Sequence, residues 1–331
     1  MNNRIEFVDL AKGFCICLVV LLHVYGESAG RVFEILTLFR MPLYFVLSGL
    51  FFKSYSGIFS FTKKKVNKLL IPFIITYIVI CVPSNIVLYH NFNLQSFWEI
   101  DTLKPNLGIN GAAWFLLCLF FQNIIFYLIF IVSNNNINKV ILLCWIIGCV
   151  GYLLNVKNIV LPLWIDTSMT ALPFFLFGYI IKKYSTILYE NINMKYILFV
   201  ILSIFTLLSC HFYNISTNKH AIAFGSNIFE INIISLYLGG ISGFYLIFFI
   251  SKYLKKIHII SYIGRYSIVV LLTHLLYLFV IRNIFFQLGI DQTSIVLNFF
   301  IFVFIVLISV PTIKICIKYF PYWFAQKDIW K

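Results

Sequence analysis

Long apolar segments recur along the whole 331-residue chain and constrain its fold more than any other feature. A helix needs about 20 apolar residues to cross the hydrocarbon core of a bilayer. The chain is 62% hydrophobic and only 11% charged, with a mean hydropathy of +0.97, and a soluble domain does not keep such a composition. The sequence therefore predicts an all-α, polytopic membrane helix bundle that forms a single domain over residues 1–331.

The apolar segments predict about ten transmembrane helices. Proline residues lie within or beside several of them, where neighbouring helices can satisfy the carbonyls that proline leaves free. The predicted helices cover residues 7–25, 34–52, 69–89, 112–132, 139–155, 169–182, 196–212, 230–250, 265–286 and 295–316.

Basic residues are distributed unequally between the predicted loops. With the amino terminus in the cytoplasm, 18 of the 25 Lys and Arg residues fall on the cytoplasmic side and six on the opposite side. This bias follows the positive-inside rule and predicts a multi-pass protein of the inner (plasma) membrane with both termini in the cytoplasm. Topology and attraction to anionic membrane lipids then account for the net charge of +14, so nucleic acid is not an expected partner.

The first predicted helix carries a stripe of ionisable side chains. At about 100° per residue, Lys12 and His23 lie about 20° apart around the helix and are separated by a rise of about 16 Å. Asp9 lies about 40° from His23 on the same side. Such groups are costly in a membrane and usually face a bundle interior or a wet cavity. A purely structural ion pair between Asp9 and Lys12 is the alternative.

The second predicted helix carries a matching stripe. Arg40, Tyr44 and Ser48 are spaced by four residues and share one face. Because this helix runs from outside to inside, Arg40 is expected near the level of His23, and Ser48 near the level of Lys12. The alternatives are that Tyr44 and Ser48 merely join helices and that Arg40 extends its side chain to the membrane surface.

Other ionisable residues and thiols lie elsewhere in the chain. His274 is predicted near the membrane midplane, either as an interhelical hydrogen-bond partner or as an accessory functional group. An inner loop at 63–68 contains Lys63, Lys64 and Lys65, which can receive a polyanionic ligand or can serve topology alone. The eight cysteines lie in apolar segments and are expected to be buried thiols. No metal-ligand spacing is present, so no metal is expected.

Two motifs resemble those of a known family. In the first helix, a D-x-x-K-G motif contains Asp9, Lys12 and Gly13, and ten residues separate Lys12 from His23. The second helix contains M-P-L-Y-F-V-L-S-G at 41–49. Weaker landmarks follow: W-F-L at 114–116, L-P-F-F-L-F-G-Y at 172–179, and I-G-R-Y-S at 263–267 with the later His274. The chain resembles the bacterial acyltransferase-3 family of integral membrane O-acyltransferases, in its short stand-alone form.

The resemblance implies transfer of an acyl group, usually acetyl from acetyl-CoA, to a hydroxyl of a cell-surface polysaccharide or its lipid-linked precursor. The acyl-CoA is then a co-substrate, and no bound cofactor is expected. The family's presumed catalytic residue corresponds to His23, and an imidazole is suited to accept a hydroxyl proton near neutral pH. Arg40 can orient the acceptor or stabilise an oxyanion. The expected acyl-CoA side comprises Asp9, Lys12, Ser48, Lys63, Lys64 and Lys65, with Tyr44, Trp114 and His274 as accessory residues.

Two other hypotheses remain open at the level of sequence. The reaction can be direct, or it can pass through a covalent acyl-histidine. A transporter or flippase of lipid-linked sugars would also use ionisable stripes and cavities, but its halves should show repeat symmetry with interrupted helices. The sequence shows no such symmetry and carries no signal for an oligomeric state. Acyl transfer is therefore the preferred hypothesis.

Overall fold

The protein is a bundle of membrane-spanning helices. Its structure, a computed structural model, describes residues 5–26, 30–89, 97–99, 102–184, 188–190, 194–217, 219 and 222–330. It is 80% helical. Within the described residues, nine helices are long and apolar enough to cross a membrane, and a bent pair of helices makes a tenth if the pair is counted as one span. The prediction of a polytopic helical membrane protein is confirmed.

The elements are numbered here in chain order. The third span, α3, is a continuous helix with two π-helical stretches, Val66–Leu70 and Tyr77–Cys81, between the α-helical stretches Ile58–Lys65, Ile71–Thr76 and Val82–Tyr89. The other helices are α1 (Glu6–Tyr25), α2 (Gly30–Leu50), α4 (Trp114–Val132), α5 (Ile137–Val156), α6 (Ile165–Thr170), α7 (Leu172–Tyr184), α8 (Met194–Ser216), α9 (Ile233–Leu254), α10 (His258–Arg265), α11 (Ser267–Gln287) and α12 (Ile295–Tyr319).

Two short antiparallel hairpins interrupt the helical fold. The strands β1 (Trp98–Glu99) and β2 (Lys104–Pro105) pair with each other, as do β3 (Ile222–Ala223) and β4 (Ile228–Phe229). A 3₁₀ turn at Gly108–Ala113 leads into α4. These segments fall in loops that the charge pattern assigns to the outer side.

The sequence prediction for the third span was wrong at its start. Residues 63–68, which were predicted to form a loop, lie inside α3, and the helix begins at Ile58. The membrane-like stretch Ile58–Val87 has 30 residues and is therefore about 45 Å long, well beyond what a bilayer core requires. Its basic first turns can project beyond the hydrocarbon, so lysines there do not break the helix.

The sixth predicted helix, 169–182, is not a single helix. The chain bends by 55° between the Pro162–Thr170 segment and α7. Pro173 occupies the second position of α7, where its missing N–H does not remove a helical hydrogen bond. One continuous helix would place the same proline in an interior position, so the break follows from the sequence.

Gly13 and Gly264 meet where α1 packs against α10. A Cβ atom on Gly13 would collide with the carbonyl oxygen of Ile260, and one on Gly264 would collide with the carbonyl oxygen of Asp9. Small residues let backbones approach closely, which is a main source of helix association in a bilayer. This contact fixes the axial position of α1, and with it Lys12 and His23.

A second pair of glycines joins α2 to α7. A Cβ atom on Gly49 would collide with the carbonyl oxygen of Phe175, and one on Gly178 would collide with the carbonyl oxygen of Val46. The backbones of the two helices therefore approach closely at Gly49. It fixes the helix that carries Arg40, Tyr44 and Ser48.

We expect alanine at Gly264 to destabilise the protein. Its methyl group must displace backbone atoms of α1, and such overpacking costs about 1–3 kcal/mol. Thermal unfolding in detergent should show a clear decrease in Tm for Gly264→Ala. The control is Gly111→Ala, because no heavy atom lies within 4 Å of a Cβ at that position. Equal Tm values for the two variants would contradict the role of the contact.

We also expect the protein to have the orientation in the membrane that the charge pattern predicts. Lys157 and Ser54 are both exposed, and they lie in loops predicted on the outer and the cytoplasmic side respectively. In intact cells, a membrane-impermeant maleimide should label Lys157→Cys but not Ser54→Cys. The native thiols give little background because all eight are buried or half-buried. Equal labelling of the two variants would refute the predicted topology.

Candidate active site

The histidines His23 and His274 lie side by side in the bundle. Their ring centroids are 5.3 Å apart, and the ring planes are inclined by 46°. The glycine contact between α1 and α10 explains this proximity. His23 follows Gly13 by ten residues, and His274 follows Gly264 by ten residues. On α1 these ten residues rise about 15 Å. On the other chain they pass from α10 through the non-helical Tyr266 into α11, and the ring contact shows that both stretches end at the same level.

From the sequence, His274 is expected near the membrane midplane and His23 about one turn from the outer end of the first helix. The ring contact shows that this prediction of different depths was wrong. That depth was measured from the predicted start of the ninth span at residue 265. The register between the two helices is set instead by the contact of Gly264 with α1. His274 is almost completely buried, with 1% of its surface exposed.

The hydrogen bonds of His274 define its tautomer. Its Nδ1 atom lies 2.8 Å from the carbonyl oxygen of Val270, and since a carbonyl can only accept, Nδ1 carries the proton. The Nε2 atom is then an acceptor. It is buried and has no hydrogen-bond partner among the described residues. An unsatisfied acceptor of this kind is costly in a bundle interior and is typical of functional sites.

One small cavity, here called the outer cavity, contains His23. Its volume is about 190 Å³. Arg40 and Trp114 also line it, as does the 222–229 hairpin through residues 223–226. The thiol of Cys15, about two turns inward of His23, donates a hydrogen bond to the carbonyl oxygen of Arg40 at 3.1 Å. The backbone of Arg40 is thus deeper than predicted, while its side chain lines the same cavity as His23.

A larger cavity, the inner cavity, lies on the side of Lys12. Its volume is about 580 Å³. Ser48 lines it, together with the α3 lysines Lys64, Lys65 and Lys68. The Lys12 ammonium lies 4.0 Å from the ring centroid of Phe51, which keeps it at the cavity wall. The structure therefore brings together four lysines, from α1 and α3, around one apolar-walled space.

Two residues expected on this side occupy other positions. Lys63 lies over the ring of Trp330, at 5.6 Å from its centroid, and does not line the inner cavity. Asp9 is half-buried and lines neither described cavity. Lys68, one helical turn after Lys64, takes the place expected for Lys63. Lys68 lines the inner cavity because residues 63–68 are helical, which places Lys64 and Lys68 on the same face of α3.

Three side chains line both cavities and are here called the partition. They are Tyr44 of α2, Phe115 of α4 and Leu271 of α11. All are buried, and the rings of Tyr44 and Phe115 pack with centroids 5.1 Å apart. A single layer of side chains thus separates a basic cavity from one that contains imidazole and guanidinium groups.

Comparison with known families agrees with this geometry. A family model described as an acyltransferase domain, acyltransferase-3, matches residues 5–314. The chain belongs to the acyltransferase-3 family. The suspected resemblance is thereby confirmed over nearly the whole chain, and the protein is a membrane acyltransferase. No curated protein and no solved structure matches the chain.

The motif glycines of this acyltransferase make two close backbone contacts between helices. Gly13 and Gly264 come from the D-x-x-K-G and I-G-R-Y-S motifs, and they join α1 to α10. Gly49 and Gly178 come from the second-helix motif and from L-P-F-F-L-F-G-Y, and they join α2 to α7. The two weaker downstream motifs therefore pack against α1 and α2, the helices that contain the two more specific motifs.

Sequence reasoning missed Arg282 of this acyltransferase, which it treated as an outer-side basic residue. Its guanidinium donates hydrogen bonds to the carbonyl oxygen of Val24 and to Oδ1 of Asn298, both at 2.7 Å. Val24 follows His23 directly. Arg282 therefore ties the end of α1 to α11 and α12 beside the outer cavity. A lone arginine near a helix end gives no sequence signal for such a role.

Proposed function

We propose that this acyltransferase transfers an acetyl group from acetyl-CoA to a hydroxyl of a cell-surface polysaccharide or its lipid-linked precursor, in the plasma membrane. The observation that supports this best is the pair of cavities. One is lined by four lysines, the other by His23 and Arg40, and the three partition residues line both. A donor and an acceptor can therefore approach the same point from two sides.

The inner cavity suits the donor. Coenzyme A carries several phosphates, and lysine ammonium groups bind phosphate oxygens through charge-assisted hydrogen bonds. Lys12, Lys64 and Lys68 supply such groups on the side that the charge pattern assigns to the cytoplasm. From Lys12 to His23 the helix rises about 16 Å, which an extended pantetheine arm can span. The thioester then reaches the partition while the phosphates stay at the lysines.

The outer cavity suits the acceptor hydroxyl. A hydroxyl is a weak nucleophile, so the His23 imidazole accepts its proton as the oxygen attacks the thioester carbonyl carbon. The Arg40 guanidinium stabilises the oxyanion of the tetrahedral intermediate. As the C–S bond breaks, the proton held by His23 passes to the departing CoA thiolate. The products are an ester and free CoA, and His23 is neutral again.

His274 acts as a positioning residue in this scheme. With Nδ1 bound to the Val270 carbonyl, its Nε2 can accept an N–H from the neighbouring His23 ring. That hydrogen bond would hold one nitrogen of His23 as the donor and leave the other as the base. Orientation of a catalytic imidazole by a second group is a recurrent arrangement in hydroxyl activation.

The function is tested on membranes that contain the native acceptor. Membranes from cells with the gene, incubated with acetyl-labelled acetyl-CoA, should yield labelled polysaccharide from which base releases the label as acetate. Membranes from cells without the gene should not. Mass spectrometry of the surface polysaccharide from both cells should then locate the acetyl groups. Identical polysaccharides from the two cells would contradict the proposal.

We expect His23→Ala to abolish acetyl transfer. Loss of a general base commonly lowers the rate by about 10² to 10⁴. The variant should insert at normal levels, because His23 lines a cavity and does not fill the core. In the wild type, the rate should fall on acidification, since a protonated imidazole cannot accept the hydroxyl proton. A well-folded His23→Ala variant with most of its activity would refute the assignment.

Substitutions of His274 should have graded effects. His274→Gln keeps a hydrogen-bond acceptor and should retain measurable transfer, whereas His274→Leu removes it and should be much slower. The measurement is kcat for both variants at matched membrane levels. If His274→Gln loses as much activity as His23→Ala, then His274 is not a positioning residue.

Lys12 and Arg40 should affect different substrates. Lys12→Ala should mainly raise the apparent KM for acetyl-CoA, because Lys12 lines the inner cavity. Arg40→Ala should mainly lower kcat or impair acceptor use, because Arg40 lines the outer cavity. Steady-state kinetics with each substrate varied in turn separates the two effects. Two variants that both alter donor KM alone would contradict separate binding of donor and acceptor.

A further inference from the structure

The partition lies between the proposed positions of donor phosphates and catalytic imidazole. On the proposed function, the thioester end of the donor must cross from the lysines of the inner cavity to His23 in the outer cavity. Tyr44, Phe115 and Leu271 line both spaces, and they come from three different helices. The acyl group therefore passes between these three side chains.

The partition is apolar on the sides formed by α4 and α11. Phe115 is 2% exposed and packs against the rings of Tyr44, Phe45 and Trp114, with centroid distances of 5.1 to 5.8 Å. Side chains that are packed from several directions leave little free space, so the partition can discriminate between acyl groups by their size.

The outer cavity reinforces this limit because it is small. Its volume of about 190 Å³ lies below the range of roughly 300–1,000 Å³ typical of ligand pockets. It has to hold the reacting carbonyl, the acyl substituent and the acceptor hydroxyl together. Each added methylene of a longer acyl group needs further space, which truncation of a partition side chain would supply.

We propose that Phe115 and Leu271 set the largest acyl group that this acyltransferase accepts. This inference rests on the proposed function and adds the residues that determine donor specificity. A hydrophobic pocket distinguishes one methylene by about 10- to 200-fold. Widening the partition should therefore shift the preference from acetyl towards longer acyl groups, while the basic inner cavity continues to bind CoA.

The test is a competition between acetyl-CoA and butyryl-CoA. The ratio of butyrate to acetate released by base from the polysaccharide is independent of how much protein folds. We expect Leu271→Ala to raise this ratio about tenfold or more over the wild type. Phe115→Leu is a milder change and should raise the ratio as well. It provides the test if Leu271→Ala does not insert into the membrane.

Leu275→Ala is the matched control. Leu275 lies one turn after Leu271 on α11, is half-buried, and lines neither described cavity. Its ratio should equal that of the wild type. An unchanged ratio in Leu271→Ala and Phe115→Leu, or an equal rise in Leu275→Ala, would overturn the proposal. A wild type that transfers no acyl group at all would instead refute the proposed function.

A separate observation concerns the segment that follows α12, residues 320–330, here called the α12 extension. It packs along the basic start of α3. The Oδ1 atom of Asn67 accepts hydrogen bonds from the backbone N–H groups of Ile329 and Trp330, both at 2.9 Å. Its Nδ2 atom donates to the carbonyl oxygen of Trp330 at 2.8 Å. Asn67 is buried, so this attachment is specific and shielded from water.

The extension places a carboxylate on two lysines of the inner cavity. Asp328 forms ion pairs with Lys64 at 2.6 Å and with Lys68 at 3.1 Å, one through each oxygen. Lys64 beside it lowers the pKa of the Asp328 carboxyl, so it is ionised at neutral pH. The extension begins beyond residue 314, where the match to the family model ends.

We infer that Asp328 competes with the phosphates of acyl-CoA for Lys64 and Lys68. A carboxylate that holds two ammonium groups occupies the same kind of position as a phosphate. The extension then weakens donor binding in the resting enzyme, and any condition that releases it favours loading of the donor. The effect is bounded, because an exposed ion pair contributes only modestly.

Binding of coenzyme A itself to the purified protein tests this inference without requiring turnover. Asp328→Asn should bind CoA about 2- to 5-fold more tightly than the wild type at low salt, because it removes two half-exposed ion pairs, each of which contributes only modestly. The control Glu6→Gln removes the ion pair with Lys256, which lines neither described cavity, and should leave the affinity unchanged. Unchanged or weaker binding by Asp328→Asn would overturn competition. Absence of CoA binding in every variant would contradict the donor site itself.

Discussion

The close contact between Gly13 and Gly264 is the interaction on which the site depends. It brings two backbones together at one level, and both chains then rise in the same direction for ten residues to a histidine. The ten residues are helical throughout on α1, whereas on the other chain they cross the break at Tyr266, so the level of His274 depends on that break as well as on the glycine contact. The ring contact at 5.3 Å is the direct consequence. A methyl group at either glycine would move one histidine relative to the other.

The bilayer explains why the ionisable groups gather in two spaces. Charged side chains in hydrocarbon are costly, so they line cavities inside the bundle. A continuous polar path between the two membrane faces would let ions and water leak across. The partition of Tyr44, Phe115 and Leu271 interrupts such a path with one layer of side chains. On the proposed function, the same layer also keeps donor and acceptor apart until the thioester crosses it.

The sequence predicted much of this arrangement, and its errors have identifiable causes. Helical periodicity placed Lys12 and His23 on one face of α1, because a single helix obeys simple geometry. The level of His274 depended on contact between two helices, and depth counted from an approximate helix end could not supply it. The equal spacing of Gly13 from His23 and of Gly264 from His274 was the available signal. Lys68 lines the inner cavity where Lys63 was expected, because α3 begins at Ile58, before the predicted span, and residues 63–68 are helical. Arg282 acts through backbone and amide partners that no pattern in the sequence connects.

A structure of the acyltransferase with a non-hydrolysable acetyl-CoA analogue, determined by cryo-electron microscopy, tests the central claim most directly. The claim is that donor phosphates and catalytic imidazole lie on opposite sides of the partition. The account predicts nucleotide density at Lys12, Lys64 and Lys68, with the pantetheine arm passing between Phe115 and Leu271 and the acetyl end beside His23. Density for the nucleotide in the outer cavity, or an acetyl end that stays in the inner cavity away from His23, would contradict it.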